Sequence, residues 1–278
     1  MSSNAAHGAS ADSLLDLARD IAVRAAEFAL EARRAGVSVA ATKSTPTDVV
    51  TTADRDTEAL IRSAILDARP DDGIVGEEDA THIGTSGLDW VVDPIDGTVN
   101  FLYGIPAWAV SIAVVEGATG GDVSGTTLAG VVINPVTGEL YEASAGGGAR
   151  LLGGRELAVN ADVPLASALV GTGFSYSSER RHQQASVLLE LITSVRDIRR
   201  IGSASLDLCA LAAGRLDAYY ERGLNPWDHA AGALIAREAG ARVGGLHGGR
   251  EGKQLILAAA PGLYEELAAA LRRAGLEA

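Results

Sequence analysis

A chain of 278 residues, 47% of them hydrophobic, has enough apolar material for one large core or two smaller ones, and its formal net charge of −13 argues against broad binding to nucleic-acid backbones, which calls for a basic surface. The longest uncharged apolar runs, such as AWAVSIAVV from Ala107, are far shorter than the roughly 20 residues of a membrane-crossing helix. The amino-terminal MSSNAAHGASADS lacks the basic start and apolar stretch of a signal peptide, so residues 1–12 read as a polar tail and the chain as cytoplasmic, with no membrane or nucleic-acid partner.

After the tail, Leu14, Leu17, Ala18, Ile21, Ala25, Phe28 and Ala32 recur at helical spacing and predict a helix over about 13–34, ended by Gly36. The polar loop KSTPTDVVTTAD leads into a second predicted helix that runs to about Ala68, with Leu60, Ile61 and Ile65 on one face and Pro70 as the stop. Asp54 sits near the start of that helix, where an acid serves as a cap. From Gly73 to Leu151 the pattern changes to short β-rich runs broken by Gly, Pro and Asn, and GVVINPVTGELYEA reads as two strands joined by a tight turn. Beyond about residue 156, strands and helices alternate: strand ALVGTGF, helix 178–195, strand RDIRRIG, helix 204–213, strand LDAYYE and helix 227–239. Gly214 and Gly240 fall where helix C-terminal caps belong, Pro261 opens a last helix and Gly275 closes it. The expected organisation is therefore α/β, with one lobe over 13–156 and a second over 157–278. Cys209, the single cysteine, lies in LDLCALAAG and reads as a small core residue.

Within the β-rich part, WVVDPIDGTVNF runs an apolar segment into two aspartates separated by Pro94 and Ile95. Strand side chains alternate, so residues three apart face opposite ways along a regular strand. Pro94 lacks a backbone donor and Gly97 permits a sharp turn, so the strand is expected to end at Asp93 and Asp96 to swing back beside it. Two carboxylates held that close repel each other unless a cation lies between them. Taken alone, Asp96, Gly97 and Thr98 are also compatible with a plain turn and helix cap.

Glu77 and Glu78 follow another apolar run, GIVG, and NPWDHAAG puts Asp228 in the first turn of a helix behind Pro226. Acids gathered at strand and helix ends suit Mg2+, which takes a few carboxylates and keeps water and substrate oxygens in its other positions. The N–H groups at Gly97 and Thr98 and the threonine hydroxyl suit phosphate. The DPIDGT motif resembles the DxDGT of haloacid-dehalogenase phosphatases, but there the two aspartates are two apart, and here Asp93 and Asp96 are three apart around a proline. His229, beside Asp228, reads as a packed or solvated residue rather than a ligand.

The ordered set KSTPTDVVTTAD, GEED, WVVDPIDGTVNFLYGIP and RRIGSASLDLCALAAGRLDAYYERGLNPWDHAAGALIAREAG resembles the inositol monophosphatase family of metal-dependent phosphatases over nearly the whole chain, and its bacterial branch in particular. The resemblance implies a layered αβαβα fold, two or three Mg2+ ions per site, inhibition by Li+, a homodimer, and hydrolysis of inositol 1-phosphate by metal-activated water. By the same resemblance Glu77 and Asp93 hold a first metal with the main-chain oxygen of Ile95, while Asp93, Asp96 and Asp228 hold a second. It further assigns Asp54, Thr98 and Glu77 to catalysis, Gly97 and Thr98 to phosphate, and Asp96, Gly202, Ala204 and Glu221 to substrate, with Lys43 and Asp48 bracing the loop before Asp54. Histidinol phosphate, fructose 1,6-bisphosphate and nucleotide 3′-phosphates are substrates compatible with the same metal motif, and a regulatory binding role is the alternative of another class.

Overall fold

Leu14, Leu15, Ala18, Ile21, Ala22, Ala25 and Ala29 form the buried stripe of α1 (Ala11–Ala35) in the computed structural model of the chain, which describes residues 10–36, 39–42, 49–117 and 123–277. The Ser10 hydroxyl caps the helix by accepting from the Ser13 amide, and Gly36, at φ 111°, ends it. The loop residues Lys43 and Asp48 lie outside the described residues. A short antiparallel pair, β1 (Val39–Thr42) and β2 (Val49–Thr51), leads into α2 (Thr52–Ala68).

The β-rich middle of the chain builds a seven-stranded sheet from β3 (Gly73–Gly76), β4 (Leu88–Asp96), β5 (Ala109–Glu116), β6 (Thr126–Asn134), β7 (Glu139–Ser144), β8 (Gly148–Leu151) and β9 (Arg155–Glu156), laid side by side in sequence order. Only β3 and β4 run parallel; the other neighbours are antiparallel, including the predicted hairpin β6–β7. The later part supplies β10 (Leu169–Thr172), β11 (Asp197–Arg199), β12 (Ala218–Glu221), β13 (Arg242–Gly244) and β14 (Ile256–Ala259), which form a mixed sheet in the order β11-β10-β12-β14-β13. Between them run α3 (Thr98–Tyr103), α4 (Ser178–Leu191), α5 (Ala204–Ala212), α6 (Pro226–Glu238) and α7 (Pro261–Arg273).

Burial sorts these elements into five layers. Ile21 of α1 and Ile61 and Ile65 of α2 pack on Trp90, Val92, Ile112 and Val131, covering one face of the large sheet. On its other face Val91, Ala113, Val132 and Tyr141 meet Cys209 of α5 and Ala231, Leu234 and Ile235 of α6. The opposite sides of those two helices carry Leu208, Ala233 and Ala236 against Tyr219, Ile256 and Ala258 of the second sheet. Val187 and Leu191 of α4 and Leu263 and Leu267 of α7 then close its far face over Val170, Tyr220 and Leu257. Each such aliphatic side chain contributes about 1.5–3 kcal/mol when fully buried. The result is the αβαβα arrangement, with α5 and α6 enclosed between two sheets. That enclosure explains the weak amphipathic pattern of ALIA in α6: a helix buried on two sides has little polar face.

Two boundaries differ from the sequence reading by more than a few residues or in a way that shapes the cleft. The helix expected over 178–195 ends at Leu191, because the segment must turn back to feed β11; Ser194 N–H donates to the Leu191 carbonyl and Val195 drops into the core. More consequentially, β4 does not end at Asp93. It continues to Asp96, with Asp93 opposite Ser111 and Asp96 opposite Ala109, so three steps on β4 span two on β5. One extra residue in a ladder is a β-bulge, and it turns two positions of opposite parity to one side of the sheet. Pro94 occurs where the ladder is interrupted. Ile95 turns the other way, into a small cluster with Ala29, Phe101 and Trp108.

Candidate active site

The bulge opens onto a cleft of about 230 Å3 whose lining includes Glu77, Asp93, Ile95, Asp96, Gly97, Thr98, Gly202, Ala204, Glu221 and Asp228. Asp54 alone of the anticipated site residues in the described chain is set behind that lining, where it touches Thr98. Glu77 follows β3, Asp93 and Asp96 come from the bulged end of β4, and Thr98 from the first turn of α3. Asp228 and Ala204 come from the first turns of α6 and α5, and Glu221 from the end of β12. The cleft thus draws on both sheets and on the helix layer between them.

Local chemistry fixes each acid. Asp54 is the third residue of α2 and closes a capping box: its Oδ2 accepts from the Thr51 N–H at 2.8 Å and from the Thr51 hydroxyl at 2.5 Å. Its Oδ1 accepts from the Thr98 hydroxyl at 3.2 Å, so cap and site are one residue. Asp228 repeats the device on α6, its Oδ2 taking the Asn225 N–H at 2.6 Å behind Pro226. Asp96 is held by α5: its Oδ2 accepts from the Ser203 hydroxyl at 2.6 Å, the Ser205 N–H at 2.8 Å and the Ser205 hydroxyl at 2.5 Å. Asp93 Oδ1 accepts from the Ile95 N–H at 3.0 Å. Gly97 takes φ 100°, and a Cβ there would stand 3.1 Å from the carbonyl oxygens of Ala107 and Gly202, so only glycine lets the chain turn this tightly.

The charges are crowded. Burial first, then the like charges of Glu77, Asp96 and Asp228, push Asp93 well above the usual carboxylate range. Burial and then Glu77 and Asp96 do the same to Asp228. Asp96 is also raised by burial, with the Ser203 and Ser205 bonds opposing it. Burial lifts Asp54 to about 6 against the pull of Thr51, and lifts Glu221 to about 7 against the Tyr219 hydroxyl and the positive charge of Arg200. Anionic side chains this close are stabilised in their charged form by a cation, and an all-oxygen donor set suits a hard divalent ion. Among the described residues no group of three or more His, Cys, Asp or Glu side chains is already placed to hold a metal ion; the acids line an open cleft. His229 is buried, its Nδ1 has no partner among the described residues, and burial pushes it down to about 4, a neutral packed ring.

Several supporting residues escaped the sequence reading. Glu58, fully buried on α2, accepts from the Glu78 N–H at 2.8 Å and the Asp79 N–H at 3.1 Å, and pairs with Arg62 Nε at 2.7 Å. It pins the backbone immediately after Glu77. A Cβ on Gly76 would sit 2.3 Å from Glu58 Oε1, which explains the glycine before the acidic pair. Glu58 lies four residues after Asp54, one helical turn along the same face, and that spacing is the signal that could have found it. Tyr219 donates to Glu221 Oε2 at 2.6 Å, and Gly173 leaves room for that carboxylate, since a Cβ there would lie 2.0 Å from it. Ser203 and Ser205 were legible only as neighbours of Ala204.

Comparison with known proteins bears on the family and the fold. The model of the inositol monophosphatase family matches residues 10–276. Among similar proteins, the inositol-1-monophosphatase SuhB of Mycobacterium tuberculosis (strain H37Rv) is 48% identical over 280 residues, covering 94% of this chain and 93% of that protein. The Nus factor SuhB of Vibrio cholerae is 39% identical, covering 87% and 91%. The crystal structure of the extragenic suppressor protein suhB from Bartonella henselae superposes with a TM-score of 0.85 at 35% identity, covering 94% of this chain and 98% of that one. With its layered fold and a match that spans almost its full length, the chain belongs to the inositol monophosphatase family.

Proposed function

We propose that the chain is a Mg2+-dependent phosphate monoester hydrolase whose substrate is an inositol phosphate, working in the cytoplasm as a homodimer of two-lobed subunits, 13–156 and 157–278. The observation that carries the reading is the meeting of Glu77, Asp93, Asp96 and Asp228 along one cleft with the Thr98–Asp54 pair. Glu77, Asp93 and the Ile95 carbonyl would hold one ion, and Asp93, Asp96 and Asp228 another. When bound, Mg2+ acts as a Lewis acid that lowers the pKa of water and neutralises phosphate and leaving-group oxygens.

The protein groups do the rest. The Thr98 hydroxyl lies 3.2 Å from both Asp54 Oδ1 and the Ile95 carbonyl oxygen, and with the carbonyl turned to an ion its proton goes to Asp54, leaving its lone pairs to accept from an attacking water and orient it. Asp54, with an elevated pKa, is suited to receive a proton near neutral pH. The N–H groups of Gly97 and Thr98 cradle phosphate oxygens, and Glu221, Gly202 and Ala204 face the alcohol that leaves. Water attacks phosphorus as the ester P–O bond breaks, the alcohol leaves with a proton, and no protein group becomes phosphorylated. The name of the M. tuberculosis relative supports the substrate.

A panel of phosphate monoesters tested with highly purified protein, with and without Mg2+, checks the reading. Expected is Mg2+-dependent phosphate release with preference for inositol 1-phosphate and inhibition by millimolar Li+, which competes at the second ion position. Preference for histidinol phosphate or fructose 1,6-bisphosphate would reassign the substrate; no turnover of any ester would favour a regulatory binding role.

A further inference from the structure

The sequence RRIG carries two adjacent arginines with different surroundings. Arg199 is committed outward: its Nη1 donates to Asp197 Oδ2 at 2.6 Å and to the Ile198 carbonyl at 2.8 Å. Arg200 lines the cleft and makes no hydrogen bond or ion pair with any described residue. Its guanidinium lies close to Gly202, where a Cβ would come within 2.3 Å of Arg200 Nη1, and at φ 98° the Gly202 backbone itself favours glycine. On the same cleft stands Glu221, braced by the Tyr219 hydroxyl and close enough to Arg200 for their charges to interact. The two form no salt bridge, so each keeps hydrogen-bonding capacity directed at the cleft.

We propose that Arg200 is a specificity-determining residue that, with Glu221, makes a donor–acceptor pair for two oxygens of the leaving alcohol and so selects a neutral polyol. A carboxylate accepts from a hydroxyl but donates nothing; a guanidinium donates through a planar fork and accepts nothing. Together they bind both halves of a ring diol, since each hydroxyl both gives and takes. With Glu221 ionised their charges sum to zero, which matches an uncharged ring better than a leaving group with a second phosphate: such a group would approach Glu221 and Asp96 as well as Arg200. A plain aryl phosphate offers neither partner. The inference rests on the phosphomonoesterase reading above and deepens it, by stating what the alcohol must present.

The test compares Arg200→Met, which keeps much of the bulk and removes the donors, with Arg200→Lys, in wild type and in Glu221→Gln. Because Arg200 is exposed, the variants should fold, and thermal unfolding checks this. For inositol 1-phosphate, Arg200→Met should raise KM more than it lowers kcat and should reduce the ratio of kcat/KM to that for para-nitrophenyl phosphate by about ten- to a hundredfold, the range for a hydrogen bond to a charged group. Arg200→Lys should recover part of the ratio. Inhibition by free myo-inositol should weaken in parallel, a readout of binding independent of turnover. An unchanged ratio, or an equal loss on both esters, overturns the role of Arg200 while leaving the phosphatase reading intact. A loss confined to a bisphosphate such as fructose 1,6-bisphosphate overturns the neutral polyol. Failure of wild type to release phosphate from either ester overturns both readings.

Discussion

Thr98 and Asp54 meet across 44 residues of sequence: the threonine Oγ1 donates to the aspartate Oδ1 at 3.2 Å, while the other carboxylate oxygen is held by Thr51. The helix cap is therefore the brace for the hydroxyl. Asparagine at position 54 would offer one acceptor where Thr51 and Thr98 need two, and its amide would face a donor. Asp54→Asn should reduce kcat by about a hundredfold or more, as loss of a positioned proton acceptor does. Steady-state phosphate release at saturating Mg2+ measures it, and near-normal turnover would remove Asp54 from the proposed mechanism.

Asp96→Asn and Asp228→Asn should each slow hydrolysis at least about a hundredfold, since about 3–4 kcal/mol of lost transition-state stabilisation suffices. Circular dichroism should show little change, because the amide oxygen can still accept from Ser203 and Ser205, or from Asn225. Isothermal titration with Mg2+ should show weakened binding. Wild-type rates and affinity in both variants would sink the ligand assignment.

Direct attack by water is separable from a phosphorylated aspartate. A single turnover in oxygen-18 water should place label in the released phosphate, and digestion of quenched enzyme should yield no phosphoaspartyl peptide. Phosphate recovered on Asp93 or Asp96 would instead make one of them the nucleophile.

Glu58 gives a test of support without substrate contact. Glu58→Ala would leave the part-buried Glu78 and Asp79 N–H groups without their acceptor and remove the partner of Arg62, so the midpoint for thermal unfolding should fall, with about 1–3 kcal/mol lost. Glu58→Gln keeps one acceptor and should recover part of that stability. If both variants unfold like wild type, the brace beneath Glu77 is not energetically important.

Acid sensitivity should depend in part on Asp72. Burial pulls its pKa upward, but a two-toothed pairing with Arg69 at 2.7 and 3.0 Å and the Trp90 indole N–H at 2.9 Å outweigh it, and the carboxylate lies below its ordinary value. The unfolded chain then takes up its proton first as pH falls. The contribution of Asp72 is thus complete above the ordinary pKa of about 3.9 and is lost as pH drops through the lower folded value. Asp72→Asn should flatten this part of the stability–pH curve, read by denaturant unfolding followed through tryptophan fluorescence. An unchanged slope below about pH 4 would refute the linkage.

Much of this molecule could be read from local pattern. The period of Leu14 to Ala29 gave α1, Gly and Pro punctuation gave most element ends, and the ordered acidic motifs brought forward the residues that line the cleft. What escaped has a common cause: it depends on pairings distant in sequence. Nothing around Asp93 reveals that β5 will pass with one residue fewer between Ser111 and Ala109, and nothing around Ser203 reveals that Asp96 is its acceptor. Glu58 and Arg200 look like ordinary surface charges until β3 and β12 are set beside them. The double burial of α6 was likewise hidden, because a helix enclosed by two sheets has no polar stripe to announce it.

The bulge in β4 makes the cleft a matter of parity. Val91 and Asp93 belong to the odd-numbered face toward α5 and α6, and in an unbroken ladder Asp96 would belong with Trp90 and Val92 on the even-numbered face toward α1 and α2. One supernumerary residue exchanges odd for even. A chain lacking either Pro94 or Ile95 would have the aspartates two apart on a regular ladder, still on one face, but would lose the bulge and move every residue from Asp96 onward one step along β5. Substitution in this turn keeps the two-for-one count against β5, whereas deletion removes it and resets the pairing of Asp96 and the turn at Gly97 by one residue.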